Sequence, residues 1–166
     1  MELWDALYMD GTPAGRDLVR GEPIPEGLYH LVCEILVRHT DGTYLMMLRD
    51  LEKEGYPGYW ETSAGGSALK GEDKLACVRR ELREETGILS DNFEEIGHYL
   101  GKEAIVISFF CITDCDKNSV TLQEGETIDF HWATEEEFIA FVNSDKMIPP
   151  QRRHLDAWLQ KMGYVK

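Results

Sequence analysis

The chain has 166 residues, 17 basic and 31 acidic, for a formal charge of −14 at pH 7. That length suits one domain with one core, and 43% hydrophobic against 29% charged residues argues against disorder. The acidic balance excludes gripping a nucleic-acid backbone through counterion release; a small polyphosphate remains a fitting partner if a divalent cation stands between protein carboxylates and phosphate oxygens.

In chain order, Leu3–Tyr8 and the segment after Gly15 flank Asp10-Gly11-Thr12, which predicts a hairpin that reads as an N-terminal appendage over residues 1–26. Tyr29–Arg38 and Thr43–Leu48, joined by Thr40-Asp41-Gly42, predict a second and stronger hairpin. A loop over Arg49–Gly58 leads to a short strand at Tyr59–Ser63 and then to Ala64-Gly65-Gly66. Asp73–Thr86 is helical in pattern, and Gly87 can end it in the left-handed conformation. Strands are expected at Phe93–Leu100, Ala104–Thr113 and Ile128–Ala133. A capped helix follows from Thr134, and a last helix runs from Pro150 or Gln151 to about Met162.

The order of elements is mixed α/β. The longest apolar run, Ala104–Ile112, falls short of the ~20 residues of a spanning helix, and Met1–Arg20 lacks the layout of a signal peptide, so a cytoplasmic protein without a membrane partner is expected. Cys33, Cys77, Cys111 and Cys115 have no metal-knuckle spacing and are expected to pack as thiols. The five histidines make no ligand pattern, although His30 lies on a strand that could face a cleft.

The chemistry gathers on the helix after Gly66. At about 100° per residue, Glu81, Glu84 and Glu85 fall on one side, while Leu75, Val78 and Leu82 gather on an adjacent sector. This predicts a helix that docks through its apolar residues and turns its acids to a cleft. Like charges at these spacings cost about 0.2–0.5 kcal/mol per pair. Hard carboxylate oxygens are what Mg²⁺ or Mn²⁺ takes, with waters and substrate phosphates completing the shell.

Gly66, five residues, Glu72, seven residues, Arg80-Glu81-Leu82, one residue, Glu84-Glu85, one residue and Gly87-Ile88 together resemble the signature of the Nudix hydrolase family, with every specified position filled. The resemblance implies an α/β/α sandwich around a mixed β-sheet, in a single domain over residues 1–166 with an N-terminal β-hairpin extension. It implies Glu81, Glu84 and Glu85 as metal ligands, a backbone carbonyl of Gly65 or Gly66 as a further ligand, and Glu72 and Arg80 as groups that orient loop and helix. Family members take their general base from the box or from a later loop, where Glu124 and Glu126 are the candidates.

Upstream, Arg49, Lys53, Pro57-Gly58 and Trp60 resemble the segment before the box in isopentenyl-diphosphate isomerases and their hydrolase relatives. That resemblance implies that Arg49 and Lys53 hold the substrate diphosphate, as suits cations facing phosphate. The isomerase chemistry is not matched: Gly65 stands where those enzymes carry a catalytic cysteine, and Ser67 where they carry a metal-binding histidine. The expected activity is therefore Mg²⁺-dependent hydrolysis of a diphosphate linkage in a nucleoside diphosphate derivative or related small diphosphate. The alternatives are an isomerase-like enzyme and a nucleotide-sensing module without turnover. A homodimer is compatible with the sequence and is not specified by it.

Overall fold

The computed structural model describes residues 1–166. Strands β1 (Leu3–Leu7) and β2 (Pro13–Val19) form a two-stranded antiparallel hairpin. The main sheet contains β3 (His30–His39), β4 (Tyr44–Arg49), β5 (Trp60–Thr62), β6 (Ala64–Ser67), β7 (Glu94–Leu100), β8 (Ala104–Thr113) and β9 (Thr127–Ala133). Its backbone order is β5-β4-β3-β8-β7, with β6 also pairing β3 and β9 pairing β4. The β3–β8 pair is parallel and the others antiparallel, so the sheet is mixed.

Alternation along β3 divides the core. Cys33, Ile35 and Val37 pack with Cys77, Val78 and Leu82 of α1 (Lys74–Thr86) on one face. Leu36 packs on the other face with Phe138 and Val142 of α2 (Glu135–Val142) and Leu155, Trp158 and Leu159 of α3 (Pro149–Lys161). Side chains at successive strand positions point to opposite faces, which produces the expected α/β/α layering. The cap of α2 is as read from sequence, with Thr134 and Glu137 each bonding the other's backbone N–H.

Two expectations change. The glycine-rich segment after Ser63 is a paired strand, β6, because Gly65 and Gly66 sit opposite Glu34 and Cys33 in register. The hairpin is also more than an appendage. Leu7 and Tyr29 exchange two backbone hydrogen bonds, Lys70 N–H donates to Leu3 O at 2.8 Å, and Gly71 N–H donates to Asp5 Oδ2 at 2.7 Å. Its own small core of Trp4, Ala6 and Leu18 is thereby fastened to the loop that precedes α1.

Candidate active site

Helix α1 is fixed at both ends by local chemistry. Asp73 accepts from Ala76 N–H at 2.8 Å, and Gly87, at φ 76°, donates to Arg83 O at 2.9 Å. The rotation this sets differs in one respect from the sequence reading. Leu75 is exposed, whereas Cys77 is fully buried and Glu81 and Glu85 are only 9% and 5% exposed. The two carboxylates thus lie inside the docked arc of the helix rather than beside it.

Glycines make that placement sterically feasible. A Cβ at Gly66 would stand 2.4 Å from Glu81 Oε1, and one at Gly65 would stand 2.9 Å from the Cys33 carbonyl oxygen. Bare backbone in β6 lets α1 approach with carboxylates at the contact.

Arg80 ties the constellation together. Its Nε and Nη2 donate to the two oxygens of Glu72 at 2.6 and 3.0 Å, and Nη2 also donates to Ser67 O at 3.0 Å. Its Nη1 donates to Glu81 at 2.7 Å and to Glu84 at 3.2 Å. Glu72 in turn accepts from Leu69 N–H, so the start and end of the loop are both held to the helix.

The acids differ in electrostatic state. Burial tends to raise Glu72, but the Arg80 and Leu69 donors outweigh it and hold the carboxyl below its usual range. Burial raises Glu81 against the opposing pull of Arg80. Burial, reinforced by the charges of Glu61 and Glu81, pushes Glu85 well above the ordinary carboxylate range. Glu61 is also raised by burial, with Arg49 opposing.

Glu61, Glu81, Glu84 and Glu85, but not Glu72, border a cleft with two adjoining compartments, of about 350 Å³ and about 210 Å³, which share Gly65, Gly66, Glu85, Lys53 and Glu126. The first is closed by Glu2, Trp4 and Arg20 of the hairpin region. Hard oxygen donors around a crowded carboxylate pair suit a divalent cation. No three His, Cys, Asp or Glu side chains form a ready cage. Mg²⁺ does not demand one, since it keeps several waters and shares its shell with substrate phosphates.

A NUDIX domain model matches residues 28–159. The chain belongs to the Nudix family. A Nudix hydrolase of Listeria monocytogenes is 36% identical over 151 residues, spanning 90% of this chain and 89% of the relative. Among solved structures, DR0079 of Deinococcus radiodurans overlays with a TM-score of 0.76 at 17% identity, over 93% of this chain and 98% of that one. The NUDIX domain of Shewanella oneidensis NrtR, in complex with ADP ribose, overlays with a TM-score of 0.61 at 12% identity, over 81% and 88% of the two chains. These structural likenesses speak for the Nudix fold. The sequence relatives and the matched domain make the chain a Nudix pyrophosphohydrolase.

The Nudix box residues Gly66, Glu72, Arg80, Glu81, Glu84 and Glu85 all come together. Lys53 and Arg49 face the second compartment, each already engaged. Lys53 Nζ pairs with Glu126 Oε2 at 2.5 Å. Arg49 donates to Glu61 at 2.9 Å and twice to Gly55 O, which clasps the loop between β4 and β5. Of the two later-loop candidates, Glu126 borders both compartments, whereas Glu124 is exposed and borders neither. His30 lies under Trp4, with ring centroids 4.1 Å apart, and does not line the cleft.

Sequence reasoning missed Glu34, Glu61 and Gln151, which line the second compartment, and the hairpin's share of the first. Glu61 had a signal of its own, a charge inside an otherwise strand-like run. Glu34 likewise interrupts an apolar strand. Gln151 and Arg20 carried none, because only the tertiary fold brings them to the cleft.

Proposed function

We propose that this Nudix hydrolase cleaves the diphosphate linkage of a nucleoside diphosphate derivative with the help of Mg²⁺ or Mn²⁺. The observation that carries the proposal is the buried Glu81–Glu85 pair, with Glu81 packed against Gly66 and Glu85 lining both polar compartments. Two carboxylates pushed together out of water are costly unless a cation or a proton neutralises them. The missing Cβ at Gly66 makes the room that Glu81 occupies beside the cleft.

In this reading Glu81, Glu84 and Glu85 hold the metal, with the carbonyl of Gly65 or Gly66 as an additional donor. The bound cation supplies charge neutralisation and polarisation at phosphorus. Arg80 and Glu72 orient the box, and Arg80 holds one oxygen each of Glu81 and Glu84 at a fixed angle. Lys53 receives a phosphate oxygen on release from Glu126, and Arg49 adds positive potential while bracing its loop. Glu126, freed from Lys53, is the residue positioned to take a proton from attacking water, with Glu124 the lesser candidate.

The ADP ribose bound by the NrtR domain supports a nucleotide-derived substrate. An isoprenoid diphosphate fits less well: the first compartment has only Trp4 and Leu69 as hydrophobic lining, and the second only Val32 and Ala64. Gly65 provides no thiol for double-bond migration. A binding-only module is disfavoured by the complete box, whose carboxylates serve turnover rather than affinity for an anion.

The test is incubation with Mg²⁺ and a panel of nucleotide sugars, dinucleotides, nucleoside di- and triphosphates and isopentenyl diphosphate. Release of a nucleoside monophosphate or of phosphate, lost in Glu84→Gln, is expected. Tight binding without turnover, or double-bond migration without phosphate release, would overturn the proposal.

A further inference from the structure

Helix α1 covers the sheet only from Cys33 onward. The Cys33 thiol donates to the carbonyl of Lys74, the first residue of α1, at 3.7 Å. Leu31 has the same parity on β3 and faces the same way, and its register partner is Ile105 of β8. Both lie beyond the start of the helix, at a groove of about 640 Å³. Leu31, Ile105 and Ile107 of the sheet line it, together with Leu7 of the hairpin and Ala68 and Leu69 before α1.

The turn between β1 and β2 borders the same groove through Gly11 and Pro13. It carries two exposed side chains, Tyr8 at 50% and Met9 at 64%. The turn is held rigidly. Tyr8 N–H donates to Thr12 O and Gly11 N–H to Tyr8 O, both at 2.9 Å. Asp10 Oδ1 accepts from the backbone N–H and the hydroxyl of Thr12 at 3.0 and 2.6 Å. A knob that is already ordered loses little conformational freedom when it docks.

We propose that the groove receives the Tyr8–Met9 turn of a second copy of this chain, in a two-fold dimer in which each copy inserts its own turn and accepts the other's. A projection and a hollow side by side on one face are self-complementary under a two-fold axis, which closes the assembly at two. Tyrosine and methionine are enriched in such contacts. The charges around the groove agree with this occupant. Asp5 accepts from Gly71 N–H, Glu72 from Arg80 and Leu69 N–H, and Asp73 from Ala76 N–H, while Lys74 pairs with Glu95. His98 on the rim makes no hydrogen bond, and the free Oδ2 of Asp10 on the incoming turn is an acceptor for it. The docked turn lies against Leu69 and Glu72, so the dimer buttresses the box loop from outside the cleft. Each copy carries a charge of −14, and the apolar contact therefore forms against long-range repulsion.

Sedimentation velocity and hydrogen exchange on the full chain, from about 1 to 200 µM, test this. Reversible dimerisation in the micromolar range is expected of a small interface. It should tighten as salt rises, because screening weakens the repulsion and leaves the apolar burial in place. Backbone amides of residues 8–12 and 69–73 should gain protection in the dimer. Met9→Asp on the turn and His98→Glu on the rim should each weaken association about tenfold or more, as loss of a central contact does. Both positions are exposed, so melting temperatures should stay near that of the parent, and each variant serves if the other disturbs the fold. A chain that stays monomeric throughout overturns the inference, as does a dimer protected elsewhere, one that dissociates as salt rises, or one that neither variant weakens. A small apolar molecule that stays with the monomer in native mass spectrometry and protects residues 69–73 overturns it as well.

Discussion

The Glu81 carboxylate lies directly against the backbone of Gly66, so closely that a Cβ there would come within 2.4 Å of Oε1 and 2.6 Å of Cδ. The obstacle is the far end of a flexible side chain, so Gly66→Ala is relieved by moving Glu81 rather than by opening the fold. The variant should lose about 100-fold in kcat, the scale of an ångström-sized misplacement of a catalytic group. Its melting temperature should stay within about 2–4 °C of the parent, equivalent to about 1 kcal/mol in a chain of this size. Thermal melting and steady-state kinetics on the same preparation check both halves.

Arg80 is the knot between loop and helix, with side chains of Arg80 and Glu72 only 16% and 18% exposed. Arg80→Ala leaves Glu72 and Glu81 without their main donor and should cost about 2–3 kcal/mol, somewhat below the cost of breaking a fully buried pair because both side chains keep contact with solvent. That corresponds to a fall of about 5–10 °C in melting temperature. Arg80→Lys should lose activity while melting closer to the parent, because an ammonium cannot reproduce the two parallel bonds to Glu72. Equal melting of Arg80→Ala and the parent would contradict this.

What the sequence disclosed follows the range of the interactions involved. Helix α1 and its caps at Asp73 and Gly87 are set by neighbours within four residues, and the box within it is read off by spacing. The capping box at Thr134 and Glu137 is equally local. Burial of Glu81 and Glu85 was not legible, because their place in the docked arc depends on Gly65 and Gly66 yielding room from another element. The meeting of Glu34 with His154 depends on the β3 register and the seat of α3, 120 residues apart in sequence. The hairpin's role as a wall of the cleft depends on its bonds to Lys70 and Gly71.

His30 makes a pH-dependent contribution to stability. Its ring stacks on Trp4 and its Nδ1 is buried without a partner. Burial holds its pKa below the ordinary value of 6.5, with Glu103 opposing. Between the two values the unfolded chain binds more protons than the folded one, so stability is fully present above pH 6.5 and is lost as pH falls through the folded value. His30→Phe keeps the stack and removes the proton. Denaturant melts from pH 7.5 to 5 should fall less steeply for the variant, whereas parallel curves would contradict the account. The raised carboxyls of Glu61 and Glu85 act with the opposite sign and cancel between the two chains.

Glu126 and Glu124 separate by position on one short connection. Glu126 borders the cleft and holds Lys53, and Glu124 is exposed outside it. Glu126→Gln should lower kcat by about 10²–10⁴-fold, the usual contribution of a general base. Glu124→Gln should stay within about twofold, as a surface change does. The reverse order would move the base to Glu124.

The most direct measurement follows nucleoside monophosphate or phosphate release, by phosphorus NMR, from the best-cleaved member of the nucleoside diphosphate panel, for the parent and for Glu84→Gln, each with Mg²⁺ and with EDTA. The account predicts release by the parent in Mg²⁺, none in EDTA, and a loss of at least about 100-fold in Glu84→Gln with the fold intact by circular dichroism. Release that persists undiminished in EDTA, or in Glu84→Gln, would contradict a metal-assisted hydrolysis centred on Glu81, Glu84 and Glu85.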